Sequence, residues 1–252
     1  MKMQRQIRHW FILLFAIAGL MLGGCTTEQA TSSDTSPSAT ETTSASATPA
    51  SSPKTSSLPR LAGKATVDMT VKGSLITIEV DGTNAPITSG NFVDLVQRGV
   101  YNGLVFHRVV RQPQPFVAQG GDPQSKDPNV PTERLGMGGF IDPATGQARY
   151  IPLEIKPKGA EKPVLSETLK SAGVSQPPQL RHTRGAVAMA RSSLPDSASS
   201  QFYIALADLP FLDGDYAVFG YVTKGMEVVD KIQQGDRIES AKVTKGAENL
   251  KK

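Results

Sequence analysis

Two short segments near the middle of the 252-residue chain each place one long polar side chain among apolar residues. The first is Phe106-His107-Arg108-Val109-Val110, and the second is Phe116-Val117-Ala118-Gln119-Gly120-Gly121-Asp122. Both patterns are typical of β-strands. The guanidinium of Arg108 and the amide of Gln119, beside an apolar surface, suit a ligand that is apolar on one side and carries an amide on the other. A peptidyl-proline is such a ligand.

Two downstream segments extend the pattern, Met189-Ala190-Arg191 and Ser200-Gln201-Phe202-Tyr203-Ile204. Together the four segments resemble the cyclophilin family of peptidyl-prolyl cis-trans isomerases. The resemblance covers residues 65–122 and 182–235. It implies an enzyme that stabilises the twisted amide of an X–Pro bond without a covalent intermediate, a metal or a cofactor.

The implied reaction is rotation about a partial double bond. Rotation is slow because it breaks amide resonance, a barrier of about 18–20 kcal/mol. No covalent bond is formed or broken, so neither a nucleophile nor a metal is required. The protein must instead supply a hydrogen-bond donor for the proline nitrogen and an apolar pocket for the ring, both complementary to the twisted state.

The resemblance assigns catalytic roles to Arg108, Phe116 and Gln119. Arg108 suits the donor role because its guanidinium is permanently charged and presents a rigid fork of N–H groups. A lone arginine on a strand is otherwise more often a plain surface residue. Gln119 would bind the substrate backbone or orient Arg108, although its spacing fits an amide at a strand end equally well. We expect His107 to be a packed or hydrogen-bonded strand residue, since no proton needs to move.

The resemblance also assigns residues that bind the substrate around this centre. They are Val117, Ala190, Arg191, Gln201, Tyr203, Phe211, Leu212 and Tyr216. The backbone at Ala190 and Arg191 would pair with an extended peptide, and Gln201 would lie at the floor of the groove. Taken singly, an apolar strand residue is more often core than pocket, so these assignments depend on the motif.

Several departures from the familiar family pattern affect this expectation. Five residues, 111–115, separate Val110 from Phe116, where the family typically has two, and a shift of Phe116 by about 1 Å would lower activity strongly. Phe211 and Tyr216 resemble bacterial periplasmic members, which carry them in place of Trp and His. Tyr203 stands where Phe is more common and adds a hydroxyl that needs a partner.

Alternation of apolar and polar residues predicts half-buried strands at 65–71 and 74–80, joined by a tight turn at Lys72-Gly73. Further strands are predicted at 104–110, 116–119, 186–190, 202–206, 216–222 and 238–244. Helices are predicted from Pro86 to a stop at Gly99, and from Met226 to Gln234. The predicted fold is mainly β: a closed eight-stranded antiparallel, cyclophilin-like barrel capped by two helices.

The interior of this barrel is predicted to be packed rather than hollow. The side chains expected to fill it are Phe106, Val110, Val187, Met189, Phe202 and Phe219. They disfavour a third possible function, a barrel that carries a small ligand inside. The pattern of strands alone does not distinguish a barrel from a sandwich, so the choice depends on the resemblance.

The N-terminal residues predict a lipoprotein signal peptide over 1–24. Three basic residues precede the 13-residue apolar run Trp10–Leu22, which is shorter than a typical membrane span. The run ends at Leu22-Gly23-Gly24-Cys25, which resembles a bacterial lipobox, and Cys25 is the single cysteine of the chain. Lipidation of Cys25 would anchor the protein to a membrane. Ordinary secretion with an incidental Cys25 is the alternative.

The predicted domains after the signal peptide are a tether at 25–60 and one isomerase domain at 61–252 with an insertion at 156–180. Residues 26–57 contain 19 Ser or Thr among 32, a composition that predicts disorder. The net charge of +4 includes three positive charges within residues 1–24, so it gives no reason to expect nucleic acid binding. Three histidines without ligand spacing predict no metal site.

These observations predict a monomeric, lipid-anchored, extracytoplasmic isomerase. Its expected partners are proline-containing peptides or unfolded exported proteins, with no cofactor. The alternative from another class is a non-catalytic module that keeps the groove for docking or assembly. The intact Arg108, Phe116 and Gln119 favour the enzyme, whereas the longer 111–115 loop and the insertion favour the module.

Overall fold

The computed structural model of the chain describes residues 55–252, which fall within the compact unit Pro49–Lys252. The predicted signal peptide, Cys25 and most of the predicted tether therefore lie outside the described residues. Among residues 55–252, no helix is both long enough and apolar enough to cross a membrane.

Twelve strands and two α-helices are present in this part of the chain. The strands are β1 (Arg60–Leu61), β2 (Lys64–Val71), β3 (Ser74–Asp81), β4 (Arg108–Val109), β5 (Val117–Gly120), β6 (Glu154–Ile155), β7 (Val164–Leu165), β8 (Ala186–Met189), β9 (Phe202–Ala205), β10 (Val218–Lys224), β11 (Ile238–Lys245) and β12 (Leu250–Lys251). The helices are α1 (Pro86–Gln97) and α2 (Met226–Val229). Short 3-10 turns lie at Thr55–Ser57, Pro123–Lys126, Thr132–Arg134, Pro195–Ser197, Pro210–Leu212 and Ala247–Asn249.

Eight of these strands form one antiparallel sheet in the order β11-β2-β3-β10-β8-β9-β5-β4. The prediction of a mainly-β fold is confirmed, but the prediction of a closed barrel is wrong. Within residues 55–252 the edge strands β4 and β11 do not pair, so the sheet is a curled half-barrel. Its edges approach through residues 104–106 and 235–238, which share a single bridge at Val105 and Arg237.

The β2–β3 hairpin confirms the predicted alternation. Residues of β2 alternate between buried and less buried positions along the strand, and the turn residues Lys72 and Gly73 have φ of 51° and 69°. Two consecutive positive φ values match the hairpin turn whose twist suits the flanking strands.

Helix α1 closes one side of the sheet and confirms the predicted bounds. It begins at Pro86, and the backbone N–H groups of Ile87 and Thr88 donate to the buried carboxylate of Glu154, at 3.1 and 2.8 Å. It ends at a left-handed Gly99 (φ 68°), where Gly99 N–H donates to Val96 and Val100 N–H donates to Leu95. This is the Schellman pattern of helix termination.

The main core lies between α1 and the concave face of the sheet. Phe92 of α1 packs against Tyr101, Phe202 and Phe219, with ring centroids 4.9–5.5 Å apart. Of the side chains predicted to fill the interior, Phe106, Val187, Met189, Phe202 and Phe219 are buried. Val110 is only half-buried, because the chain leaves β4 for the 111–115 loop at that point.

Several predicted elements are shorter than the sequence pattern indicated. The strand predicted at 104–110 is reduced to Arg108–Val109, because residues 104–106 bond to 235–238 and do not continue the sheet ladder. The second helix ends at Val229 and not at Gln234. Beyond it, Gly235 donates its N–H to Phe106 and so belongs to the connection between the sheet edges.

The predicted insertion, 156–180, folds back onto the domain. Its strand β7 pairs with β6, and Leu169 is buried against Leu153, Ile155 and Ala217 in a small apolar cluster separate from the main core. Leu169 N–H also donates to Gly214 at 3.0 Å. The insertion therefore supports the loop 209–217 from behind.

Candidate active site

An open pocket of about 260 Å³ lies on the convex side of the sheet, around β4, β5 and β9. The residues that line it are Arg108, Phe116, Val117, Gln119, Ala190, Arg191, Tyr203, Leu212 and Tyr216. All nine are predicted site residues. The two others, Gln201 and Phe211, contact the lining residues Gln119 and Phe116.

A chain of side-chain hydrogen bonds forms the polar side of the pocket. Arg108 and Gln119 face each other across the β4–β5 ladder, and the Arg108 guanidinium donates to Gln119 Oε1 at 3.3 Å. Gln119 Nε2 donates to Gln201 Oε1 at 3.2 Å, and Gln201 Nε2 donates to the Gly138 carbonyl at 2.7 Å. This chain orients an exposed guanidinium that would otherwise sample many rotamers.

Aromatic rings form the apolar side. The Arg108 guanidinium lies 5.4 Å from the centre of the Phe116 ring, and Phe116 stacks on Phe211 at 6.0 Å with an interplanar angle of 18°. Phe211 remains 66% exposed. A cation and an apolar ring thus share one opening, which matches the expected ligand chemistry.

The opposite rim is built around Tyr216. The Arg191 guanidinium lies 4.8 Å from the Tyr216 ring centre and donates twice to the Asp215 carbonyl, at 3.0 and 2.8 Å. Tyr203 meets Tyr216 edge to face, with centroids 6.1 Å apart. Ala190 lies just past the end of β8, where its N–H donates to the Gln201 carbonyl at 2.9 Å.

Comparison with known families agrees with this geometry. Residues 66–249 match the family model described as cyclophilin type peptidyl-prolyl cis-trans isomerase/CLD. The chain belongs to the cyclophilin-type family. The predicted resemblance is therefore confirmed at the level of the family.

Curated relatives of this cyclophilin-type chain include a putative thylakoid lumen peptidyl-prolyl cis-trans isomerase of Synechocystis, 44% identical over 205 residues. That match covers 77% of this chain and 51% of the relative. Peptidyl-prolyl cis-trans isomerase A of Dickeya dadantii is 37% identical over 171 residues, covering 66% of this chain and 70% of the relative. The chain spans about half the length of the first curated relatives that it matches.

A solved structure of a cyclophilin-type isomerase from Cryptosporidium parvum is similar in fold. It superposes with a TM-score of 0.53 at 23% identity, covering 71% of this chain and 97% of the other. A second structure of that protein, in the presence of the dipeptide Ala-Pro, has a TM-score of 0.52 at 24% identity and covers 71% of this chain and 98% of the other. At this identity the likeness shows the cyclophilin fold alone.

The 111–115 loop, longer than the family pattern, is fixed at both ends. Val110 and Phe116 close it through hydrogen bonds from Val110 N–H to Val117 and from Phe116 N–H to Val110, at 2.9 and 3.0 Å. Arg111 donates to the carbonyls of Val229 and Ile232 at the end of α2, at 3.2 and 2.7 Å. The extra length therefore bulges over α2, and Phe116 stays in the pocket wall.

A neighbouring hollow of about 370 Å³ continues the groove beyond the polar chain. It shares Gln119, Ala190, Arg191 and Gln201 with the site, and adds the exposed Met137 and the partly exposed Tyr150 on its outer side. The predicted floor residue Gln201 lies between the two hollows, which explains why it does not line the first.

His107 is buried, and within residues 55–252 neither ring nitrogen has a hydrogen-bond partner. Burial lowers its pKa from the ordinary value of 6.5, with Asp122 opposing and Arg108 adding to the shift. The expectation that His107 is packed is confirmed, but His107 lies just before β4 and not within a strand. Among the described residues, no group of three or more His, Cys, Asp or Glu is placed to hold a metal.

Sequence reasoning missed His182, which lies directly behind the pocket. Its Nε2 is 2.9 Å from the Tyr203 hydroxyl, and its Nδ1 is 2.9 Å from Asp213 Oδ1. This supplies the partner that the additional hydroxyl of Tyr203 requires. A histidine that precedes a strand by several residues gives no sequence signal for such a contact, because the contact depends on how the loop 209–217 returns.

Proposed function

We propose that this chain is a peptidyl-prolyl cis-trans isomerase that assists the folding of extracytoplasmic proteins. The observation that supports it most is the shared opening, where the Gln119-oriented guanidinium of Arg108 lies beside the apolar Phe116 ring. Family membership supports the same activity. The named relatives are isomerases in their printed descriptions.

In the proposed mechanism the proline ring enters between Phe116, Val117 and Leu212, while the preceding carbonyl points to solvent and is free to swing. As the amide twists, the nitrogen lone pair localises and accepts a hydrogen bond from Arg108. That bond is stronger in the twisted state than in the planar ground state, so it lowers the barrier. Each tenfold in rate corresponds to about 1.4 kcal/mol.

The groove around this centre would hold the peptide backbone in an extended conformation. Ala190 and Arg191 lie just past the end of β8, where their backbone would pair with an extended peptide. Gln119 and Gln201 would then serve both the peptide and the orientation of Arg108. Main-chain recognition of this kind fits unfolded substrates that share proline and little else.

The test is the isomerisation rate of a short Xaa-Pro peptide with the purified protein, beside Arg108→Ala and the control Arg134→Ala. Arg134 is an exposed arginine on the 3-10 turn Thr132–Arg134, and it lines neither hollow of the groove. We expect strong acceleration that collapses only in Arg108→Ala. A folded protein that binds the peptide without accelerating it would instead favour the docking module.

The location proposed for this enzyme is outside the cytoplasm, as a monomer anchored through a lipid on Cys25. The lipobox-like sequence supports the anchor, and the Synechocystis relative is named for the thylakoid lumen. Cys25→Ser should move the protein from the membrane fraction to the soluble fraction. If the variant still floats with lipid, the apolar segment Trp10–Leu22 is the anchor.

A further inference from the structure

His182 connects two walls of the pocket from behind. Its side chain is almost fully enclosed, with 2% of the residue exposed, and its ring lies parallel to that of Tyr203 at 6.1 Å. Tyr203 belongs to β9, whereas Asp213 belongs to the loop 209–217, which also carries Leu212 and Tyr216. A single imidazole thus joins the strand to the loop.

The hydrogen-bond partners determine the tautomer of His182. Asp213 accepts from the His182 backbone N–H at 2.8 Å and from Arg181 Nε at 3.0 Å, and these bonds, with that of the His182 ring, lower its pKa against the opposing effect of burial. The ionised carboxylate accepts from His182 Nδ1–H. Nε2 is then the acceptor, and the Tyr203 hydroxyl donates to it.

Further contacts reinforce this bridge between the loop and the sheet. Leu209 N–H donates to the His182 carbonyl at 2.7 Å, and Tyr221 of β10 exchanges hydrogen bonds with the backbone of Arg181. The titratable or charged groups around the imidazole are therefore Asp213, Arg181, Tyr203 and Tyr221, with Tyr216 beyond Tyr203.

We propose that His182 is a positioning residue of the proline pocket, and that only its neutral form accepts the Tyr203 hydroxyl hydrogen while it donates to Asp213. The inference depends on the proposed function and deepens it. A protonated imidazole donates from Nε2 to the Tyr203 oxygen, so the hydroxyl must turn its own hydrogen away from His182 and towards the pocket. The pocket then presents a polar group where the neutral form presents an aromatic edge.

The pH at which His182 becomes protonated lies below the ordinary titration range of histidine. Burial lowers the pKa of His182 from 6.5, and the Asp213 carboxylate opposes that shift. Amide rotation transfers no proton, so the chemical step supplies no pH dependence in this range. A pH step in substrate affinity would therefore report the pocket and not the reaction.

The experiment measures Xaa-Pro peptide affinity by calorimetry and isomerisation kinetics on the full chain between pH 7.5 and 4.5. The variants are Tyr203→Phe, His182→Phe, His182→Gln and the control His107→Phe. We expect wild-type affinity to be constant above pH 6.5 and to fall about tenfold below it, the scale expected when one buried hydroxyl hydrogen loses its acceptor. The weakening should appear in KM and in the dissociation constant more than in kcat.

The variants separate His182 from other titrating groups. Tyr203→Phe should abolish the pH step, whatever its own activity, and His107→Phe should keep it. His182→Phe should weaken binding at pH 7.5, and His182→Gln should restore part of it because an amide can both donate and accept. If His182→Phe does not fold, the pH dependence of wild type compared with that of Tyr203→Phe still tests the role of His182.

A failure of the proposed function and a failure of the role of His182 would give different results. Peptide binding without acceleration at any pH contradicts the proposed function but leaves the affinity comparison intact. Equal pH dependence in wild type and Tyr203→Phe, or no step at all, overturns the role of His182. Absence of both binding and acceleration in a folded wild-type protein overturns both.

Discussion

Arg108 and Gln119 face each other across two neighbouring strands, and the guanidinium donates to the glutamine side-chain oxygen at 3.3 Å. The exposed arginine is therefore held at the wall of the pocket by a residue that is itself held by Gln201. The order of these contacts implies an order of effects on the orientation of Arg108, because Gln119 contacts the guanidinium directly and Gln201 contacts it only through Gln119.

We expect kcat/KM for an Xaa-Pro peptide to fall in the order Arg108→Ala, then Gln119→Leu, then Gln201→Leu. Removal of Arg108 eliminates the donor, whereas the two glutamine variants keep the donor but orient it less well. For Gln201→Leu, the most remote of the three changes, we expect kcat/KM to fall by about 10-fold or less. The measurement is steady-state kinetics with thermal unfolding as a control for stability. A Gln201→Leu effect as large as that of Arg108→Ala would contradict orientation through the chain.

Arg111 offers a test of the lengthened loop. Its guanidinium satisfies two carbonyls at the end of α2, so we expect Arg111→Ala to reduce the free energy of unfolding by about 1 kcal/mol. Because the loop leads directly to Phe116, kcat/KM should fall several-fold as well. Arg134→Ala, an exposed change at a residue that lines neither hollow of the groove, is the matched control. Unchanged kinetics in Arg111→Ala would show that the Phe116 backbone hydrogen bonds alone fix the wall.

The insertion has a measurable role through Leu169. This side chain is 4% exposed and packs against Leu153, Ile155 and Ala217, the residue that follows Tyr216. We expect Leu169→Ala to cost about 2 kcal/mol, at the low end for a buried leucine because the cluster is small. Peptide affinity should weaken too, since loop 209–217 loses its support. Lys170→Ala, on the exposed neighbour, should change neither quantity. A stable Leu169→Ala variant with native affinity would show that the insertion is a passive addition.

The alternating strands and the capped helix were predictable because they depend on local periods and on glycine and proline geometry. Residues 65–71, 74–80 and 86–98 follow those rules closely. Most residues of the candidate pocket were predictable because four short segments carry the family motif, and the fold brings them together with Leu212 and Tyr216 of the loop 209–217. Whether the sheet closes was not predictable from the sequence, because closure depends on whether the short segments around Val105 and Arg237 pair as strands.

The role of His182 was equally inaccessible from sequence. Its contacts join residues 21 and 31 positions away, through a loop whose return path has no periodic pattern. The contacts of Leu169 were equally unpredictable, because the 156–180 region contains few alternating positions. Contacts of this kind depend on tertiary packing, and local sequence rules do not contain them.

Acid sensitivity of folding provides the last prediction, and it concerns both described histidines. Burial lowers the pKa of His107 and of His182 from 6.5 in the folded protein. Below pH 6.5 the unfolded chain binds these protons and the folded chain does not, so the free energy of unfolding falls as the pH falls towards the folded pKa values. Above pH 6.5 this contribution is fully present and constant.

Urea denaturation at pH 7.5, 6.5, 5.5 and 5.0 would measure the effect, with a limit of about 1.4 kcal/mol per pH unit for each histidine. His107→Phe should reduce the slope below pH 6.5. It should also retain or raise stability at pH 7.5, because it removes two buried nitrogens that have no partner among the described residues. Parallel curves for wild type and His107→Phe would mean that His107 reaches water in solution, and that His182 and the carboxylates account for the acid sensitivity.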